Sequence, residues 1–90
     1  MINTGEYKNR HRGWVNSNPV RAKRYDGGLT LSELSSALGV HPQTILTWEH
    51  GTRIPSDENL ETIARYLEVS TEEARQIWAD WIDDRPTVDL

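Results

Sequence analysis

The 90-residue chain has no cysteine, no phenylalanine and a single methionine. The absence of cysteine excludes disulfides and thiolate metal sites, and it is compatible with a reducing compartment. No apolar run approaches the roughly 18 to 20 residues that a membrane-spanning helix needs, and no apolar signal-peptide core is present near the N-terminus. We therefore expect one small cytoplasmic domain with a single modest core.

Motifs for catalysis are missing as well. No nucleophile is paired with a base in a known motif, and the chain has neither a glycine-rich phosphate loop nor an HExxH metal pair. His41 and His50 are nine residues apart, so even on one continuous helix they would lie on opposite faces. We expect a protein that is not an enzyme and that uses no metal and no cofactor.

What the chain does have is an uneven distribution of charge. The net charge is −4, yet residues 1–28 hold six basic and two acidic residues, while residues 29–90 hold four basic and twelve acidic ones. The two parts therefore carry +4 and −8. This asymmetry suggests one end that meets an anion and another that avoids it. The alternative is a basic flexible tail on an acidic domain.

Start signals, stop signals and apolar spacing predict an all-α fold, a five-helix bundle without strands. The first helix is expected to begin at Pro19 and to end at about Tyr25, before two glycines. Thr30 and Glu33 form a capping box for the second helix. After a turn at Gly39, the third helix begins at Pro42 and is stopped by Gly51.

The last two helices are predicted by serine caps. Ser56 precedes a fourth helix with apolar residues at helical spacing, and Ser70 with Glu73 forms a second capping box before the fifth. Pro86 ends the regular structure. The predicted domain thus spans residues 18–85, and residues 86–90 are a tail.

Residues 1–17 are predicted to be a flexible basic arm. Lys8, Arg10 and Arg12 alternate with polar residues and show no apolar periodicity. Such an arm can enter a minor groove or lie along a nucleic-acid backbone, and the alternative is a disordered solubilising tail. Trp14 is expected to fold back onto the domain, because an aromatic side chain is costly to expose.

The third predicted helix has two distinct sides. With Gln43 at 0°, Thr47 falls at about 40°, His50 at about −20° and Thr44 at about 100°, while the opposite side carries Ile45, Trp48 and Glu49. Two helices joined by a short turn containing glycine, the second of them amphipathic, are the pattern of a DNA-binding helix-turn-helix. Purely structural helical hairpins share this geometry.

Three ordered motifs sharpen this interpretation. They are L-T-x-x-E-L-x-x-x-L-G-V over Leu29–Val40, T-I-x-x-W-E-x-G over Thr44–Gly51, and R-x-P-S-x-x-x-L-x-x-I-A-x-x-L-x-V over Arg53–Val69. In this order and spacing, the chain from about Val20 to Trp78 resembles the Cro and phage-repressor helix-turn-helix family, also called the XRE family.

The resemblance implies a role for individual residues. Gln43, Thr44 and Thr47 would contact bases, and Arg53 would contact phosphate. Charge and position, and not the resemblance, add further candidates for contacts to phosphates or the minor groove: Lys23, Lys8, Arg10, Arg12, His41 and His50. Arg24 and Glu49 would form an internal ion pair. Leu31 departs from the family pattern, because a glutamine that contacts phosphate commonly holds this position.

The fifth predicted helix bears on assembly. Trp78, Trp81 and Ile82 lie on its apolar stripe, and relatives often dimerise through this region, so we expect a homodimer, at least on DNA, and a pseudo-palindromic operator. The alternative is that Trp78 closes the core and only Trp81 is left over. The acidic end of this helix could also bind a basic protein partner.

The resulting expectation is a sequence-specific regulator that binds double-stranded DNA. The family's habits favour a Cro-like or repressor protein of a phage or mobile element. An antitoxin or a recombination-directionality factor would use the same module. The alternative from another class is a protein-interaction module that has lost DNA binding, as Leu31 and the acidic balance would allow.

Overall fold

The computed structural model describes residues 4–87, with side chains from residue 8 onward. This range contains no strand and six helices: α1 (Thr4–Asn16), α2 (Pro19–Asp26), α3 (Leu31–Leu38), α4 (Pro42–His50), α5 (Asp57–Leu67) and α6 (Thr71–Asp83). The all-helical prediction is confirmed. The predicted count of five is wrong, because residues predicted to be an arm form α1. No helix in residues 4–87 has the length and hydropathy to cross a bilayer.

The caps that the sequence predicted are present at three helix starts. The Thr30 hydroxyl accepts a hydrogen bond from the Glu33 backbone N–H at 3.1 Å, and the Glu33 carboxylate accepts one from the Thr30 N–H at 3.0 Å. These bonds lower the pKa of Glu33. Ser56 and Ser70 accept from backbone N–H groups of α5 and α6. At Ser70, however, the Glu73 carboxylate accepts from the serine hydroxyl instead of the backbone.

Helix α1 is held by two tryptophans that are 67 residues apart. The rings of Trp14 and Trp81 stack with centroids 4.0 Å apart and planes inclined by 3°. Each indole N–H donates to the other residue's backbone carbonyl, at 2.6 Å and 2.9 Å. Both carbonyls belong to the last turn of a helix, and the Trp14 carbonyl also accepts from the backbone N–H and the hydroxyl of Ser17. The expectation that Trp14 folds back onto the domain is confirmed.

The same tryptophans cover the end of α4 at Gly51. This residue ends α4 in the left-handed conformation, with φ at 66°. A Cβ atom here would lie 2.8 Å from the Trp14 ring and 2.9 Å from the Trp81 ring. Both its conformation and its surroundings therefore favour glycine, and α4 is fixed against α1 and α6 at this point.

A buried asparagine connects α2 to α4. The Asn18 side-chain oxygen accepts from the backbone N–H groups of Val20 and Arg21, which makes Asn18 the N-cap of α2. Its amide nitrogen donates to the Trp48 carbonyl at 3.0 Å. Because Asn18 is completely buried, each of these bonds replaces a contact with water. The junction between α1 and α2 is thus tied to the last turn of α4.

Most of the α6 stripe is buried inside the protomer. Trp78 is 3% exposed and Trp81 is 6% exposed, while Ile82 is half-buried against the core. The assignment of Trp78 and Trp81 to a dimer interface is therefore corrected. Trp14 of α1 covers the Trp81 ring, and the Trp78 ring packs edge-on against the Trp81 ring. Of the three predicted residues, Ile82 alone keeps substantial surface for a second copy.

Candidate nucleic-acid interface

Helices α3 and α4 form a helix-turn-helix with a turn of three residues. Gly39 takes the left-handed conformation that ends α3, with φ at 70°. His41 then caps α4, because its Nδ1 accepts a hydrogen bond from the Gln43 N–H at 3.0 Å. Nδ1 is the acceptor in this bond, so Nε2 is the ring nitrogen on the side away from the helix backbone that remains available to other partners. His41 can therefore cap the helix through Nδ1 and still contact another partner through Nε2.

Helix α4 presents one buried side and one open side. Ile45, Trp48 and Glu49 are buried, whereas Gln43 is exposed on the opposite side and Thr47 is half-buried. The two sides match those expected from the sequence. The Thr47 hydroxyl donates to the Thr44 carbonyl at 2.6 Å, so it offers outside partners a lone pair and a methyl group.

The open side of α4 forms one wall of a groove of about 540 Å³. Gln43, Thr44 and Thr47 line it from α4, and Arg53 lines it from the following loop. The sequence had assigned all four to DNA contacts, and the fold brings them together. The other wall comes from the start of α5 and the residues before it, and it includes Ile54, Ser56 and Asn59.

The residues of this second wall were missed by the sequence reasoning. Ile54 is 82% exposed, which is unusual for a large aliphatic side chain. It follows Arg53 directly, and an apolar residue between a basic residue and a proline in the loop after a reading helix could have drawn attention to it. Its side chain gives the second wall of the groove an exposed apolar surface.

A second, smaller concavity of about 380 Å³ lies at the other end of α4. His50 lines it together with Lys8 and Arg12 from α1. Arg10 is exposed but is not among its lining residues. The basic residues that the sequence grouped as one arm are thus divided by the helix between different sides.

Lys23 lies away from both concavities. Its ammonium donates to the Tyr66 carbonyl at 2.5 Å and is 4.0 Å from a Glu68 carboxylate oxygen. These partners belong to the C-terminal end of α5, where unpaired carbonyls and the helix dipole favour a cation. The structure therefore gives Lys23 a local role at the contact between α2 and α5.

The predicted ion pair between Arg24 and Glu49 is confirmed. The Arg24 Nε is 2.8 Å from one Glu49 carboxylate oxygen, and a terminal nitrogen is 2.9 Å from the other. Arg21 adds a third bond to the same carboxylate at 3.2 Å. Hydrogen bonding to Glu49 raises the pKa of Arg24 above its ordinary value. Because Glu49 is on the buried side of α4, the pair fixes which side of α4 faces outward.

The comparison with family models agrees with this geometry. A model described as helix-turn-helix, of the XRE type that includes phage repressors and Cro, matches residues 20–73. The match covers α2 to α5 and the first turn of α6, and so includes both groove walls, but it excludes α1. No curated protein and no solved structure gave a match. Since the match covers more than half of the chain, the protein belongs to the XRE-type helix-turn-helix family of DNA-binding regulators.

Proposed function

We propose that this protein is a sequence-specific transcriptional regulator that occupies an operator, as a Cro-like or repressor protein of a phage or mobile element does. It would act at the nucleoid of a prokaryotic or phage-infected cell. The observation that carries the proposal is the groove on α4, where three polar side chains and Arg53 lie together while the opposite side of the helix is buried.

Gln43 is the proposed base reader. Its exposed carboxamide is in the first turn of α4, the part of a reading helix that reaches base edges in the major groove. One carboxamide can donate to adenine N7 and accept from adenine N6 at the same time. Thr44 and Thr47 would add hydrogen-bond acceptors and methyl groups that can contact thymine.

Arg53 is the proposed phosphate contact beside the reading helix. It is exposed in the loop after α4 and makes no ion pair with another residue of the range 8–87. A free guanidinium at the rim of the groove can neutralise a backbone phosphate and release a counterion. This contact supplies affinity without reading sequence.

Two substitutions test these roles on a selected duplex and on a random one. Gln43→Ala should cost roughly 1 to 3 kcal/mol on the selected duplex and little on random DNA. Arg53→Ala should weaken binding to both duplexes and make the salt slope shallower by about one unit. Equal weakening by Gln43→Ala on both duplexes would remove it from base readout, and an unchanged slope would remove Arg53 from the backbone.

We extend the proposal to a homodimer on DNA, with two reading helices about 34 Å apart on a pseudo-palindromic operator. The surface that supports it is an apolar groove of about 380 Å³ between the loop after α4 and α6. Ile54, Leu60, Ala79 and Ile82 line it.

A charge placed in this apolar groove tests the dimer. Ala79→Arg should reduce binding to a two-half-site duplex while leaving binding to a single half-site unchanged. Gln76→Arg is the control, because it makes the same charge change on α6 outside the groove. If Ala79→Arg and Gln76→Arg behave alike, the second copy does not occupy this groove.

An antitoxin or recombination-directionality factor would use the same α4 groove, and a protein-interaction module would use the acidic α6 instead. Sharp protection of a DNA site by the protein alone would favour the regulator. Retention of a toxin or a polymerase subunit in a pull-down would favour the other functions.

A further inference from the structure

Helix α1 is a fixed part of the fold that lies outside the family match. The stack and the two hydrogen bonds between Trp14 and Trp81 hold its C-terminal end on α6. The basic residues two, four and six positions before Trp14 are therefore carried by an anchored helix. Because a cation on such a support loses less conformational freedom on binding than one on a flexible arm, it binds an anion at lower entropic cost.

The helical geometry separates the basic residues of α1. With Lys8 at 0°, Arg12 falls at about 40° and Val15 at about −20°, whereas Arg10 falls at about 200°. Lys8, Arg12 and Val15 line the concavity at the end of α4, as this geometry requires, and Arg10 does not. Two cations of equal charge on one helix thus face different surroundings.

The charge balance of this concavity is positive. The side chains of Lys8 and Arg12 make no ion pair with another residue of the range 8–87. Arg21 also lines the concavity, but its guanidinium contacts the Glu49 carboxylate at 3.2 Å and shares that one negative charge with Arg24. Two unneutralised cations and the His50 imidazole are therefore left around one cleft of about 380 Å³.

We propose that Lys8, Arg12 and His50 form a binding site for a backbone phosphate of duplex DNA. This inference rests on the proposed function, since it adds a backbone contact to the reading helix. It divides the predicted arm into contacting residues, Lys8 and Arg12, and a non-contacting residue, Arg10.

Continuity with the reading face favours a DNA phosphate over a free anion. Gln43, Thr47 and His50 are spaced at i, i+4 and i+7, so they lie within about 60° of one another on α4. Seven residues of helix span about 10.5 Å. The cleft begins where this polar strip ends, so a duplex that follows the strip from Gln43 brings its backbone to Lys8 and Arg12.

The test compares three single variants in the full chain: Lys8→Ala, Arg12→Ala and the matched control Arg10→Ala. Each removes one exposed positive charge from α1 and leaves Trp14 in place, and helical circular dichroism verifies that the fold is kept. Binding to a 30-base-pair random duplex and to a selected duplex is measured from about 50 to 200 mM salt. Lys8→Ala and Arg12→Ala should each make the salt slope shallower by about one unit, and Arg10→Ala should leave it unchanged.

Equal effects of the three variants would overturn the proposal, because they would indicate a diffuse charge effect without a site. No effect of Lys8→Ala and Arg12→Ala would also overturn it. A second measurement separates the sources of phosphate: amide signals of residues 8–12 and His50 should shift on addition of duplex at concentrations where inorganic phosphate moves them little. The reverse pattern would assign the cleft to a free anion.

The outcomes for this site and for the proposed function can be told apart. If Gln43→Ala acts equally on selected and random duplexes while Lys8→Ala still lowers the salt slope on both, sequence reading fails and the α1 site stands. If Gln43→Ala is selective while the α1 variants behave like Arg10→Ala, the reading helix stands and the α1 site fails.

Discussion

Removing the Trp14 side chain should detach α1 from the rest of the domain. Trp14 is 5% exposed, stacks on Trp81 and donates to the Trp81 carbonyl. Trp14→Phe keeps most of the apolar contact but leaves that carbonyl without its partner, which costs about 1 to 3 kcal/mol. Trp14→Ala also removes the buried ring, so the free energy of unfolding should fall by about 3 to 5 kcal/mol.

Urea and thermal unfolding followed by circular dichroism measure these differences. Each kcal/mol corresponds to roughly 4 to 8 °C in Tm for a domain of 60 to 100 residues. Arg10→Ala on the exposed surface of α1 is the control and should change the free energy of unfolding by less than about 0.5 kcal/mol. A loss below about 1 kcal/mol for Trp14→Ala would refute the reasoning, because it would mean that the tryptophan pair does not hold α1.

Three further predictions concern glycine, the buried ion pair and pH. Gly13→Ala should raise the free energy of unfolding by up to about 1 kcal/mol, because Gly13 is exposed with open space at its Cβ position in α1, whereas Gly51→Ala should lower the Tm markedly. A neutral Gly13→Ala would argue against a stable α1. Glu49→Ala should cost about 3 kcal/mol or more in urea unfolding, since it leaves Arg24 buried without its counter-charge; a loss near zero would contradict a structural role. The capping bonds lower the pKa of Glu33 below its ordinary value of 4.5, so its stabilisation is complete above that value and is lost as pH falls through the lowered pKa. Acid titration of the Tm should therefore be steeper for the parent protein than for Glu33→Gln, and parallel curves would contradict this.

Features that depend on near neighbours in the chain could be predicted from the sequence. Thr30 and Glu33 are three residues apart, and Gly39 and Gly51 end helices by their own backbone preference, so the helix-turn-helix followed from local chemistry. The two sides of α4 followed in the same way from the spacing of Ile45 and its apolar neighbours. The pairing of Arg24 with Glu49 came from the family resemblance and not from any local pattern.

Features that depend on distant contacts could not be predicted. The buried apolar residues of α1, Trp14 and Val15, are adjacent in the chain and therefore show no helical periodicity. Trp81, the residue on which Trp14 stacks, is 67 residues away in the sequence. The apolar stripe on α6 predicts a dimer interface equally well as a core, because both require apolar residues. For Trp81, only the position of α1 shows that the residue belongs to the core. Lys23 was assigned to phosphate because the sequence does not show that α5 ends beside it.

Selection of bound sequences from a random duplex library at physiological salt tests most directly whether this protein reads DNA. We predict enrichment of an inverted repeat with half-site centres about 10 base pairs apart, with affinity for the enriched repeat reduced by Gln43→Ala. Enrichment of a single asymmetric site would retain sequence reading and contradict the dimer. Weak, salt-sensitive binding with no enriched sequence would contradict the central claim that the α4 groove reads bases.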